Sequence, residues 1–313
     1  MLQAETDMLL CKLGIMRWKH KPSFVSVEPA NFCQLRCPEC PVGQATANGN
    51  AGKRQLMDFA LFSRILDELA PFVHTMQFYF QGEPLLNRQL PEMVRAAHDK
   101  GIYTIISTNA QLLDNETAEA LLRAGLSRII VSVDGLTEET YSAYRQGGSL
   151  QKALNGLRHL REAKTRLKAR TCIELQCLQL KTNEHQWEDF RRMYKQLGAD
   201  RLTFKTAQLY DYQHGNPFMP SNPRYSRYVR GSNGIYRLRK TGRGLCRRLL
   251  SGCVIDSAGN VLPCCFDKSA QHPFGNLNRQ TFTECWLSPQ AFEFRRKVLE
   301  NRRSVHICTN CTE

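Results

Sequence analysis

Residues 33–40 read Cys33-Gln34-Leu35-Arg36-Cys37-Pro38-Glu39-Cys40, three cysteines in a C-x-x-x-C-x-x-C loop, with Pro41 next. Three thiolates at this spacing wrap one corner of a cubane, and Pro38 and Pro41 stiffen the loop. Iron–sulfur clusters normally take four thiolates. A set of three leaves one iron open, and an open position on a metal is where chemistry happens. The spacing suits zinc less well, because closed zinc sites favour paired C-x-x-C units and no fourth ligand lies close in sequence.

Outward from this loop, β-rich runs alternate with helical patterns, the signature of βα units around a parallel sheet. Strands are expected at 24–27, 76–80, 103–107, 128–133, 172–179 and 201–204, and helices at 58–69, 91–99, 115–124, 150–163 and 184–197. Gly101, Gly125 and Gly198 stand where glycines end helices, and Asn115 is a reasonable N-cap. Six units are too few to close an eight-stranded barrel and suit an α/β fold with an open, partial (β/α)6 TIM-like barrel. In parallel barrels the reactive groups collect on loops after the strands. The cysteine loop follows the first strand, Gln81-Gly82-Glu83-Pro84 the second, Thr108-Asn109 the third and Asp134-Gly135 the fourth. Glu174 and Gln176 share one face of the fifth strand, either toward the lumen or as polar lining.

The 313 residues bury a substantial core without a disulfide framework. The thirteen cysteines fall in sparse clusters with metal-like spacing, which favours a reducing, cytoplasmic setting. No secretory signal pattern and no apolar run long enough to span a membrane is visible. Residues 2–18 read as a short amphipathic helix that packs on the main domain. The net charge of +14 is concentrated. Residues 191–250 hold fourteen Lys and Arg, interleaved with tyrosines, against only Asp200 and Asp211. A solvated face normally mixes both signs, so this stretch points to an anionic partner: a charged small molecule, a lipid headgroup or nucleic acid.

The expected division is an N-terminal extension (1–21), the barrel (22–210), a basic, proline-containing linker or substrate loop (211–245) and a cysteine-rich region (246–313). A hairpin turn is expected at 257–260 and a helix at 289–299. In the last region stand Cys246, Cys264 and Cys308-x-x-Cys311. Such a four-cysteine set suits structural zinc as well as iron–sulfur. Cys265 directly follows Cys264, and its thiol is expected to point toward a substrate cavity. Cys11, Cys172, Cys177, Cys253 and Cys285 read as inert packing.

Taken together and in order, these motifs resemble the radical SAM superfamily over roughly residues 22–210. The resemblance implies that Cys33, Cys37 and Cys40 hold a 4Fe-4S cluster whose open iron chelates S-adenosyl-L-methionine (SAM). It further implies that the reduced cluster cleaves SAM to a 5′-deoxyadenosyl radical that abstracts hydrogen from substrate. Gln81-Gly82-Glu83-Pro84 resembles the family's G-G-E-P motif, Thr108-Asn109 its T-N-G segment, and Ser132 and Asp134 its S-x-D-G strand end. Gly82, Glu83, Thr108, Asn109, Ser132 and Asp134 are thereby implied to bind SAM. Two positions depart from the family pattern: Glu39 replaces the usual aromatic before the third cysteine, and Gln81 replaces the first glycine. The C-terminal spacing is similar to a SPASM domain in its short twitch form, which implies one auxiliary 4Fe-4S cluster on Cys246, Cys264, Cys308 and Cys311.

The implied activity is oxidation or epimerisation of a small, anionic or sugar-like substrate, with an external electron donor such as flavodoxin or ferredoxin and Cys265 as a candidate catalytic thiol. Peptide maturation and a nucleic-acid-associated iron–sulfur protein are the alternatives. Against the first, no leader-binding module is expected ahead of residue 22; for the second, the positive charge is the whole argument.

Overall fold

Along β1 (Phe24–Val27), Val25 and Val27 alternate with Phe24 and Ser26, so period-2 geometry sends both valines to one face of the sheet. The computed structural model describes residues 20–50, 52–240 and 246–312. The expected helix over 2–18 and Cys11 lie outside them. Five further strands run parallel to β1, each paired with the one before: β2 (Thr75–Gln77), β3 (Tyr103–Thr108), β4 (Arg128–Ser132), β5 (Cys172–Gln179) and β6 (Arg201–Thr206). Their registers align Val25 with Met76, Ile106 with Ile129, and Val131 with Leu175. All six side chains are fully buried under the helix layer. On the other face, Phe24, Ser26 and Gln77 line the same cavity as Lys205 of β6. The sheet therefore curves until its first and sixth strands face one lumen, as the partial-barrel expectation requires.

The connecting helices take their places from caps and apolar stripes. After α1 (Pro41–Ala47), α2 (Phe59–Leu69) starts on Asp58, whose carboxylate accepts from the amides of Ala60 and Leu61. It buries Phe62, Ile65, Leu66 and Leu69, one face at helical spacing. Next come α3 (Leu90–Asp99), α4 (Asn115–Arg123), α5 (Glu138–Tyr144), α6 (Leu150–Leu167) and α7 (Trp187–Met193). Asp114, rather than Asn115, caps α4 by accepting from the Thr117 amide at 2.8 Å. The expected helix at 184–197 is shorter because residues Lys181–Gln186 form a 3-10 segment first. Helices α1 and α5 go beyond the sequence expectation; each is only seven residues long, too short for periodicity to stand out.

Beyond β6 the stretch expected as a long loop carries a small hairpin of β7 (Tyr228–Arg230) and β8 (Tyr236–Leu238). The cysteine-rich region opens with α8 (Arg247–Ser251) and continues as β9 (Gly252–Ile255), β10 (Asn260–Leu262) and β11 (Gly275–Asn276). The expected turn at 257–260 joins β9 to β10. Strand β9 pairs in parallel with β1, from Phe24 beside Gly252 to Val27 beside Ile255. The C-terminal region thus extends the barrel sheet to nine strands and covers the outer edge of β1. Helices α9 (Phe282–Trp286) and α10 (Pro289–Asn301) complete it, with the Phe282 amide bonded to Glu68 of α2 at 2.7 Å. Among the described residues no helix is long and apolar enough to cross a membrane.

Candidate active site between two cysteine sets

The cysteine loop leaves β1 at its C-terminal end and turns under backbone control. The Cys40 amide donates to Cys37 O at 3.1 Å, and the Arg36 amide to Gln146 O at 2.9 Å. Cys37 is buried, while Cys33 and Cys40 are partly exposed. Cys33 Sγ accepts from the Leu35 amide and from Asn109 Nδ2, both at 3.4 Å. Burial pushes the Cys33 thiol up to about 12 and raises Cys37 as well, with Arg145 beside Cys37 acting in the opposite direction. Amide donors and a guanidinium aimed at sulfur are what thiolate ligands of a cluster need, since hydrogen bonds and nearby charge tune such clusters.

Glu83 joins three loops. Its carboxylate accepts from Thr108 Oγ1 at 2.6 Å, the Asn109 amide at 2.9 Å and the Leu85 amide at 3.2 Å, while its own amide donates to Phe32 O. Thr108 and Glu83 therefore build the walls of the site by holding each other, and Asn109 faces the cysteine loop. Gly82 owes its identity to a close backbone approach: a Cβ there would sit 2.0 Å from Ala30 O and 2.8 Å from Phe32 N. This approach is to the cysteine loop itself. Gly82→Ala is expected to cost about 1–3 kcal/mol through overpacking against backbone and to lower iron content after reconstitution. A wild-type melting temperature with full iron loading would show that the loop yields instead.

Asp134 stands differently from the role implied by its motif. It is fully buried, with Oδ2 on Arg145 Nε at 2.6 Å and Oδ1 on the Leu178 amide at 2.7 Å. The carboxylate thus anchors Arg145 rather than offering oxygens to a ribose. Burial works against the charge of Arg145, but Asp134 and Cys37 outweigh it and hold the guanidinium firmly protonated. Ser132 ends β4 and aligns with Gln176 of β5, which aligns with Thr203 of β6. This lumen-facing row is polar, and Gln176 Oε1 and Thr203 Oγ1 are buried with no partner. Buried polar atoms are normally satisfied, so the row fits a polar ligand such as the nucleoside of SAM. Glu174, one step below, pairs with Arg128 at the floor of the lumen.

The second set gathers where the start of α8, the turn after β10 and the C-terminal turn meet. Cys246, Cys264 and Cys308 are electrostatic neighbours, as are Cys308 and Cys311. Arg302 lies among Cys246, Cys311 and Cys308, with Nη2 on Cys311 Sγ at 3.1 Å. Burial raises the Cys264 and Cys308 thiols. Four thiols, three of them around one guanidinium, form a donor set that fits a fully ligated, anionic cluster. Among the described residues no three His, Cys, Asp or Glu side chains converge on a single metal ion.

Beside the second set lies a cavity of about 560 Å³ whose lining includes Tyr79, Lys205, Arg247, Arg248, Cys264 and Cys265. Cys265 Sγ accepts from Arg248 Nη1 at 3.4 Å, so this thiol does face the cavity. Burial pushes the Tyr79 hydroxyl up to about 12 and the Lys205 ammonium down. The basic segment is therefore divided. Lys205, Arg247 and Arg248 border the lumen, whereas Arg191 and Arg192 are spent on Glu188 and Asp189 in α7.

Several contributors escaped sequence reasoning. Arg145 lies in α5's C-cap, with no motif around it. The two departures from the family pattern prove to be tethers. Glu39 accepts from the Tyr210 amide at 3.0 Å and Asn216 Nδ2 at 2.9 Å; Gln81 Nε2 donates to Lys268 O at 2.7 Å. Both fasten the cysteine-loop side of the barrel to later segments, and their polar character at positions usually aromatic or glycine was the available signal.

Glu28 is a third tether, accepting from the amides of Gln81 (3.3 Å) and Ser257 (3.2 Å). Burial, aided by Asp256, pushes it up to about 7. An unfolded Glu titrates near 4.3, so between about pH 4.3 and 7 the folded chain holds a proton that the unfolded chain releases. Stability from this group is thus present at low pH and lost as pH rises through 7. Glu28→Gln is expected to flatten the fall in melting temperature between pH 5 and 8; identical slopes for both proteins would remove the assignment.

The family model described as "Radical SAM superfamily" matches residues 27–193, and that of the SPASM iron–sulfur cluster-binding domain matches 246–312. An AdoMet-dependent heme synthase of Methanosarcina barkeri is 26% identical over 321 residues, 92% of this chain and 88% of the relative. A PqqA peptide cyclase of Bradyrhizobium diazoefficiens is 31% identical over 195 residues, 61% of this chain, which spans about half (48%) of that relative. Among solved structures, BtrN in complex with AdoMet and 2-DOIA superposes with a TM-score of 0.56 at 19% identity, covering 95% of both chains. SuiB of Streptococcus suis bound to S-adenosylmethionine gives 0.68 at 17% identity, covering 93% of this chain and 72% of that one. At these identities the superpositions speak for the fold.

Proposed function

Because the chain belongs to the radical SAM superfamily and carries a C-terminal SPASM iron–sulfur domain, we propose that it oxidises or epimerises a small anionic substrate held in the barrel lumen beside the second cysteine set. The observation that carries this reading is the cavity bordered by Lys205, Arg247 and Arg248 on one side and by Cys264 and Cys265 on the other. A pocket with several cations favours a ligand carrying carboxylate or phosphate groups. When bound, the three-cysteine cluster and SAM supply the radical that takes a hydrogen atom from substrate. The chain's own residues do the rest. Cys33, Cys37 and Cys40 hold the cluster, and Asn109 and Arg145 stabilise its sulfur ligands. Glu83 and Thr108 lock the surrounding loops, and Ser132, Gln176 and Thr203 line the SAM seat. Lys205 and Arg248 orient the anion, and Cys265, which lines the same cavity, offers its thiol hydrogen to a substrate carbon radical.

Peptide cyclisation is the second reading, favoured by the 31% identity to a PqqA peptide cyclase. Free thiols at all described cysteines support placement in a reducing cytosol, supplied with electrons by a flavodoxin or ferredoxin.

Reduced holoenzyme incubated anaerobically with SAM and the anion-exchange-retained fraction of a metabolite extract is expected to release 5′-deoxyadenosine above the no-extract level. The altered metabolite should lose two mass units on oxidation, or take up solvent deuterium on epimerisation. Stimulation only by the unretained or peptide fraction would overturn the anionic-substrate reading. Cys265→Ala is expected to keep SAM cleavage and lose product; unchanged turnover would remove the thiol from the mechanism.

A further inference from the structure

Lys268 lies four residues beyond Cys264 and is an electrostatic neighbour of Cys265, Cys40, Glu28 and Cys264, so it stands at the junction of the two cysteine sets. Its loop is held firmly. Asp267, fully buried, accepts from the amides of Gln271 (2.8 Å) and His272 (2.9 Å), and Lys268 O accepts from Gln81 Nε2. The ammonium sits 4.7 Å from the centre of the Phe80 ring. It borders two cavities, one of about 520 Å³ with Gln44, Gln208, Tyr210 and Asn310, and one of about 180 Å³ with Phe32 and Pro41 beside the cysteine loop.

Among the described residues no carboxylate comes within ion-pair distance of Lys268. Of the other cations near this region, Arg145 is paired with Asp134, Arg248 borders the cavity beside Cys265, and Lys53 is exposed on the rim. Glu28 and the neighbouring thiols supply part of the counter-charge of this half-buried ammonium without a direct carboxylate ion pair, and its cation–π contact offsets only part of the desolvation of the cation.

We propose that Lys268 receives a carboxylate at this junction, supplied either by the methionine part of SAM or by the substrate. Both sources present the same chemistry to the ammonium. The SAM source follows from the position of Lys268 beside Cys40 and the Gln81-Gly82 turn. The substrate source rests on the anionic-substrate reading above, so the two fail separately.

The test uses full-length, anaerobically reconstituted holoenzyme as wild type, Lys268→Met and Lys268→Arg, with iron content and melting temperature measured first. If the Met variant does not hold its clusters, Lys268→Gln takes its place. SAM affinity is measured by equilibrium dialysis, and succinate is titrated into the SAM-loaded protein by calorimetry. A roughly ten- to hundredfold loss of SAM affinity in Lys268→Met, partly restored in Lys268→Arg, assigns the contact to SAM; this is the scale for removing a hydrogen bond to a charged group. Unchanged SAM affinity with loss of succinate binding assigns it to the substrate. Unchanged SAM affinity with no succinate binding that depends on Lys268 overturns the proposal.

Discussion

Cys37→Ala protein, reconstituted anaerobically, is expected to keep about four of roughly eight irons and to release no 5′-deoxyadenosine above an enzyme-free control. Cys37 is the most buried member of its set, only 7% exposed, and Arg145 stands beside it. Removing its thiol leaves two ligands on a loop with no fourth cysteine nearby, which is too few to retain a cubane. The auxiliary set is built from residues on other elements and should remain loaded. The complementary Cys264→Ala variant is expected to keep the open cluster and some SAM cleavage while losing the electron path for oxidation. If Cys37→Ala retained full iron and SAM cleavage, the assignment of the open cluster to this loop would fall.

Arg145→Met is expected to destabilise the protein by about 3–5 kcal/mol, the range for breaking one side of a buried ion pair. In a chain of this size that corresponds to a melting temperature lower by roughly 10 °C. The variant leaves the Asp134 carboxylate fully buried with the Leu178 amide as its remaining side-chain-independent donor. Pairing the change with Asp134→Asn should recover part of the loss, because the orphaned charge is then gone. The double variant separates that from a second effect. Removing a positive charge beside Cys37 makes an added electron less welcome, so the potential of the open cluster, followed by anaerobic titration with electron paramagnetic resonance, is expected to move to more negative values. A melting temperature and potential both equal to wild type would show that the guanidinium does neither job.

Much of the architecture is legible in the sequence because its signals are local. Val25 and Val27 alternate with Phe24 and Ser26, Phe62, Ile65, Leu66 and Leu69 recur at helical spacing, and Gly101, Gly125 and Gly198 each take a left-handed φ where the sequence ends a helix. The short elements are less legible, since the seven residues of α5 contain too few turns for a period to emerge, and Arg145 lies just beyond them. The motif around Gly82 points to a close approach, yet what approaches is the backbone of Ala30, a contact set by how two loops converge. Asp134 reads as a strand-end carboxylate, and its position is as expected while its partner is not.

The sequence by itself determined the chemistry: three cysteines at 33, 37 and 40, four more toward the C-terminus, and a βα series that puts the first set after a strand. Cysteine spacing and hydrophobic period are written in neighbouring residues, so both survive without coordinates. Only the tertiary structure decided that β9 pairs with β1 and so carries Cys264 and Cys265 to the lumen, and that Glu28, Glu39 and Gln81 tie the barrel to later segments of the chain. Only the fold, likewise, placed Lys268 between the two cysteine sets. These contacts join residues tens to hundreds of positions apart, and their partners are selected by sheet curvature and burial rather than by any pattern within reach along the chain.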